Sequence, residues 1–336
     1  MQRSSKLAGA CVVVAMTLQL AFAGPPKAIE YVNPVAYRIT QTIEVTNHDV
    51  SPLASLELNL PIPQEFREQR VQGVRIVGDD PFRLVDREGL GLAVRSFCVA
   101  NAVPRPGESK SLSVSYKLIC KEIRTDAEVL ADREYRYDTS SAEYKLYTRA
   151  EELIEADDPE IKAVADGIRS GTTHPYWFAR KAYDYVIDHT EYASPSPGMG
   201  ARRCLKEGKA DCGWYAALFV ALCRAGGIPA RPVAGCWATG DNNWHCWAEF
   251  LLPGVGWVPA DPTVGDTQPD KREFYFGNLD NNRVALIKAY NLSFDTDRGH
   301  ATLGFMQVGC WHWYRAFGGT GEKISVRFHE VGERAR

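Results

Sequence analysis

Beyond Phe22 the chain has no apolar run long enough to cross a bilayer, so no membrane span is expected after removal of a leader. No cluster of Lys and Arg stands out, and the formal net charge is -3, which excludes a broad nucleic-acid footprint. No Cys-x-x-Cys pair occurs and the thiols are scattered, which speaks against a zinc site; no metal and no other cofactor is expected. There is no internal repeat and no low-complexity segment, which excludes solenoid and linker-rich architectures.

The N-terminus has the pattern of a secretory signal. Arg3 and Lys6 precede an apolar stretch from Leu7 to Phe22, and Ala21-Phe-Ala23 forms a small-residue cleavage site. The other reading is an uncleaved anchor. Cleavage after Ala23 removes two positive charges and takes the net charge from -3 to -5. The expected location is secreted or periplasmic. The remaining length, from Gly24 on, suggests two domains. Of nine Cys, Cys11 leaves with the signal. An exported chain meets oxidant, so Cys98 with Cys120, and Cys236 with Cys246, are possible bridges. A free buried thiol is the alternative for each.

Residues 24–123 read as a β-sandwich. Tyr37 to Val45, Leu53 to Leu60, Val71 to Val77 and Ser111 to Ile119 alternate apolar and polar side chains. Turn formers such as Pro104-Arg-Pro-Gly107 separate them. Residues 124–156 shift toward Glu, Ala, Arg and Tyr and read as a helical linker. Asp157-Asp-Pro-Glu160 then opens a helix, a second spans Tyr176 to His189, and a third runs from about Asp211 to Ala225 before Gly226-Gly227 and Pro229 end it. Strands follow at Ala230 to Cys236, His245 to Leu251 and Trp257 to Ala260. Further strand-like pieces lie at Val284 to Ile287 and Lys323 to Phe328. The expected fold class is α+β, with residues 157–336 forming a catalytic unit and its C-terminal β extension.

Three segments carry chemistry. Ala210-Asp-Cys-Gly-Trp-Tyr215 places Cys212 in the first turn of a helix, where the dipole favours thiolate. Asn243-Trp-His-Cys-Trp-Ala-Glu249 places His245 at a strand start. Gly256-Trp-Val-Pro-Ala-Asp-Pro-Thr263 places Asp261 at the end of the next strand, within reach of that imidazole if the two strands pair antiparallel. Thiol, imidazole and carboxylate are the nucleophile, proton carrier and orienter of acyl transfer. Taken singly, each has a plainer reading: a buried thiol, a packed core histidine, a turn residue before proline. Asp211 reads as a helix N-cap.

These segments, with Leu218-Phe-Val-Ala-Leu-Cys-Arg-Ala-Gly-Gly-Ile-Pro-Ala-Arg231, resemble the transglutaminase-like superfamily and its papain-like cysteine catalysis. The resemblance implies Cys212 as nucleophile, His245 as general base and acid, and Asp261 as orienter. It implies a Cys-bearing helix packed on an antiparallel sheet, and an all-β domain before it suits many members. Tyr192 lies where animal relatives carry a Trp oxyanion donor; a plain loop aromatic is the alternative. Trp214, Trp244 and Trp247 are candidates for the substrate cleft. Only about 70 residues follow Thr263, so the later β-domains and calcium sites of animal cross-linking enzymes are not carried over.

The expected function is cysteine-dependent hydrolysis of peptide or side-chain amides in a protein or peptide substrate. Glutamine-to-amine cross-linking, or a non-catalytic binding module on the same fold, are the alternatives.

Overall fold

The computed structural model describes residues 27–50, 53–78, 83–87, 94–98, 103–296, 299–304, 311–316 and 324–335. The expected signal, residues 1–23, lies outside them. No helix among the described residues is long and apolar enough to cross a membrane.

The alternating segments form two antiparallel sheets. One runs in the order Gly240–Asp241, Ile324–Arg334, Ile29–Asn47, Ser109–Thr125, Gln69–Gly78. The other runs Trp311–Ala316, Leu53–Ile62, Val94–Cys98, Arg83–Arg87. Tyr37, Ile39, Ile43, Val114 and Leu118 of the first pack in one core with Leu56, Leu58 and Leu60 of the second. This is the expected sandwich, because a period of two puts every apolar side chain of a strand on one face.

The C-terminal strands were expected to extend the catalytic unit. Instead Trp311–Ala316 and Ile324–Arg334 hydrogen-bond to the N-terminal strands, with Tyr37 opposite Arg334 and Asn47 opposite Ile324. Gln41 Nε2 donates to buried Glu330 Oε2 at 2.7 Å across this pairing. Alternation identifies a strand but not its partner, so the pairing was not legible. The possible bridges are also settled in part. Cys120, Cys236 and Cys246 are free thiols; Cys236 stands opposite Trp244 and Cys246 opposite Ala234, and the two belong to different apolar clusters. The side chain of Cys98 lies outside the described residues.

The linker contains two short helices, Ala127–Asp132 and Ala142–Thr148, capped by Asp126 and Ser141. The second unit opens with helices Pro159–Gly171 and Pro175–His189, each with proline in the first turn. Its antiparallel sheet runs Gly256–Ala260, Trp244–Leu252, Ala230–Trp237, Arg283–Ile287. Helix Cys212–Ala225 lies on this sheet and is buried on all sides through Arg224, its small Ala216, Ala217 and Ala221 mixed with Leu218, Phe219 and Leu222. Each of the larger side chains stabilises the fold by about 1.5–3 kcal/mol on full burial.

The two units are joined by side chains as well as strands. Gln69 donates to the Ala285 carbonyl at 2.9 Å and accepts from the Ala285 N–H at 2.8 Å, standing in for a neighbouring strand beside Arg283–Ile287. Lys288 bridges Glu68 Oε1 at 2.6 Å and Glu249 Oε1 at 2.7 Å.

Candidate active site

Cys212 is the first residue of its helix. Asp211 caps the turn, its carboxylate accepting from the Gly213 N–H at 3.0 Å, which agrees with its reading as an N-cap. Burial, and then the charge of Cys212, push the Asp211 carboxyl up to about 6. Tyr290 donates its hydroxyl to the Gly213 carbonyl at 2.9 Å and so pins the same turn from the segment after the edge strand. Cys212 keeps only 8% of its surface exposed.

His245 is the second residue of strand Trp244–Leu252, opposite Gly235 on the neighbouring strand. Its Nε2 lies 2.7 Å from Asp261 Oδ2. With the carboxylate ionised, Nε2 donates, and the other ring nitrogen is left for the Cys212 thiol, which also hydrogen-bonds to His245. The ring is stacked with Trp237 at 5.3 Å and with Trp247 at 6.3 Å between centroids.

Asp261 follows strand Gly256–Ala260 and is itself an N-cap, for helix Pro262–Thr267. Its Oδ1 accepts from the Val264 N–H at 3.1 Å; its Oδ2 accepts from His245 and, at 2.8 Å, from Arg283 Nη1. All three donors reach a side chain with no exposed surface. Burial alone would raise the Asp261 carboxyl, but His245, Arg283 and the Val264 N–H hold it below the ordinary carboxylate range. Burial alone would likewise discharge His245. The Asp261 carboxylate, its hydrogen bond and that of Cys212 outweigh burial and raise the imidazole to about 9. The site therefore holds a protonated imidazole at neutral pH, the state that stabilises a thiolate beside it.

The structure brings the three candidates together, with His245 in contact with both Asp261 and Cys212. Tyr192 ends a two-residue strand that pairs in parallel with Lys209–Ala210, directly before Asp211, and 43% of its surface is exposed. Burial and then the nearby Cys212 charge raise its phenol, so it remains a neutral hydrogen-bond donor on the rim. The tryptophans divide. Trp214 is buried edge-on to Tyr290 at 6.2 Å. Trp247 is buried among Val233, Val264, Tyr275 and Leu279 and forms a wall behind His245. Trp244 packs on Phe328 of the last strand at 5.8 Å, in the core shared with the sandwich.

Two further contributors, Arg283 and Trp237, lie outside the three motifs. Arg283 opens the edge strand, and its guanidinium carbon sits 3.6 Å from the centroid of the Trp237 ring. Gly235 lets the strands approach: a Cβ there would stand 1.9 Å from the Val284 carbonyl oxygen. Among the described residues no group of three or more His, Cys, Asp and Glu side chains is placed to hold a metal ion.

A scan of protein-family models matches residues 162–262 to the transglutaminase-like superfamily, and that span contains all three residues of the site. Residues 162–262 are thus similar to the transglutaminase-like core. Similar proteins include an uncharacterised protein of Haemophilus influenzae, 30% identical over 149 residues, covering 36% of this chain and 40% of that one. A protein-glutamine gamma-glutamyltransferase of Pseudomonas aeruginosa is 29% identical over 128 residues, covering 32% of this chain and 18% of that one. The chain spans less than half the length of the curated relatives it matches. A solved Cytophaga hutchinsonii structure, described as a cysteine-protease candidate, has the same overall fold. Its TM-score is 0.65 at 15% identity, over 92% of this chain and 93% of that one.

Thiol reactivity checks the site directly. Limiting iodoacetamide near neutral pH is expected to label Cys212 before any other described cysteine. Burial pushes Cys120 and Cys204 up to about 12 and raises Cys223, Cys236 and Cys246 as well. Peptide mapping that finds Cys204 or Cys223 labelled first would remove Cys212 from its role.

Proposed function

We propose that the chain is a cysteine-dependent acyl-transfer enzyme that opens amide bonds of protein or peptide substrates through a Cys212 thioester, with water as the principal acceptor. The observation that carries this reading is the His245 ring held by Asp261 at 2.7 Å on one nitrogen and by Cys212 on the other side.

The thiolate attacks the amide carbonyl, forming a C–S bond and an oxyanion. The positive end of helix Cys212–Ala225 faces that charge, and the Tyr192 hydroxyl is a candidate donor to it. His245 passes its proton to the departing amine as the C–N bond breaks. The neutral ring then takes a proton from water, whose oxygen attacks the thioester and returns the acid and the thiolate–imidazolium pair.

An amine can replace water in the second half. The gamma-glutamyltransferase name of the Pseudomonas aeruginosa relative supports keeping this second reading. The two are separated by incubating the protein with a glutamine-containing protein and a labelled primary amine, and measuring both amine incorporation and ammonia release. Carboxylate formation in excess of incorporation is expected. Incorporation in excess makes the protein a transglutaminase, and neither product from a panel of amides, with no acyl group trapped on Cys212, sinks both readings.

A further inference from the structure

Arg283 takes no part in the bond-making steps, yet only 4% of its surface is exposed and it sits at the centre of the site. A buried guanidinium needs partners for its charge; here Nη1 and Nε have them, while Nη2 makes no hydrogen bond. Nη1 donates to Asp261 Oδ2 at 2.8 Å, the oxygen that also accepts from His245 at 2.7 Å. Nε donates to Asp280 Oδ2 at 3.2 Å, an oxygen that also accepts from the Tyr275 hydroxyl at 2.9 Å. The same guanidinium stands over Trp237, and Trp237 is stacked on the His245 ring. Arg283 therefore reaches His245 by two routes, one through a carboxylate and one through an indole.

We propose that Arg283 is a positioning residue. It holds the Asp261 carboxylate and the Trp237 ring against His245, and so keeps the imidazole in the plane in which one nitrogen bonds Asp261 and the other faces Cys212. This rests on the acyl-transfer reading of the site. The charged and titratable groups that face His245 are Asp261 from the end of its strand, Arg283 from the edge strand, and Cys212 from the helix; Cys246 follows it in sequence and Asp280 lies behind Arg283. The Arg283 cation opposes protonation of the imidazole while it secures the carboxylate that favours it.

The test follows Cys212 alkylation by iodoacetamide between pH 5 and pH 10, which needs no substrate. The parent is expected to alkylate fast from pH 5 upward with a further inflection near 9; in His245→Gln the fast reaction below about pH 8 is lost and only the ordinary thiol ionisation at about 8.5 remains. In Arg283→Gln a neighbouring cation is gone, so His245 keeps its proton to higher pH. The inflection moves up by at least about half a pH unit, and the rate at neutral pH falls by about tenfold, the lower end of what loss of an outer partner costs an active-site ligand. Arg283→Lys keeps the charge without the fork: the inflection stays and the rate still falls severalfold. A folded Arg283→Gln with the parental inflection and rate overturns the proposal. If that variant does not fold, Arg283→Lys decides, and a parental rate there overturns it. A parent curve indistinguishable from His245→Gln would instead remove the acyl-transfer reading itself, and the proposal with it.

Discussion

Asp261→Asn is expected to cut turnover by about 10³- to 10⁴-fold while KM for the same amide changes little; the upper figure is that of a serine-protease triad. The amide nitrogen would present a donor where His245 Nε2 and Arg283 Nη1 both donate. The ring is then driven to the tautomer whose proton faces Cys212. The same substitution has a stability signature. His245 is raised to about 9 from an ordinary value of about 6.5. A raised basic group contributes its full stability below about 6.5 and loses it as the pH climbs through about 9, an amount of the order of 3 kcal/mol. Urea midpoints measured from pH 6 to pH 10 should therefore fall steeply for the parent and be flatter for Asp261→Asn. A soluble variant with parental turnover would reduce Asp261 to a cap of helix Pro262–Thr267.

Glu249→Gln is expected to destabilise the protein by about 3–5 kcal/mol without touching a reacting atom. Glu249 lies four residues beyond His245 on the same strand and is buried between two cations. Arg231 donates to its Oε2 at 2.8 Å and Lys288 to its Oε1 at 2.7 Å. Arg231 also lies 3.9 Å from the Trp257 centroid, and Lys288 reaches across to Glu68 of the sandwich. Removing the central charge leaves Lys288 with Glu68 alone and takes from Arg231 its carboxylate partner. Burial would raise the Glu249 carboxyl, but Lys288 and Arg231 hold it below the ordinary range. Its contribution is then present above an ordinary Glu value of about 4.3 and lost as the pH falls. Denaturation curves of variant and parent should differ most at pH 7 and converge in acid. A difference under about 1 kcal/mol at pH 7 would mean that the cluster is solvated in solution.

The juxtaposition of Cys212, His245 and Asp261 was legible because the three candidates lie in three short segments whose local signals agree. A cap before Cys212, a strand start at His245 and a strand end before proline at Asp261 each fix a position within a residue or two. Arg283 was not legible for the opposite reason. It directly follows an Asp- and Asn-rich run outside the three motifs, and its partner Asp261 is brought to it only by strand order in the sheet. The tryptophans show a further limit. Alternation says that Trp247 and His245 share a face, but not that Trp247 is shut away from solvent in an apolar cluster that includes sandwich residue Ile123. Strand pairing at the chain ends failed for the same reason: Ile324–Arg334 reads as a strand from its own residues, while its neighbour lies in the first strand of the sandwich.

That pairing imposes an order of events on a growing chain. Gln41 and Glu330 are 289 residues apart in sequence and meet in one buried hydrogen bond. The hairpin tip Gly240–Asp241, just before His245, pairs with Gly332 and Val331. During synthesis the first sandwich strand waits, one edge unpaired, until almost the whole polypeptide has emerged. Closing so long a loop is slow and leaves that edge open to other chains in the interval. The segment leading to the histidine is tied down only at the end of the same process. The geometry around His245 thus settles only after strand Ile324–Arg334 docks, and a chain clipped before that strand should carry Cys212 without its organised partner.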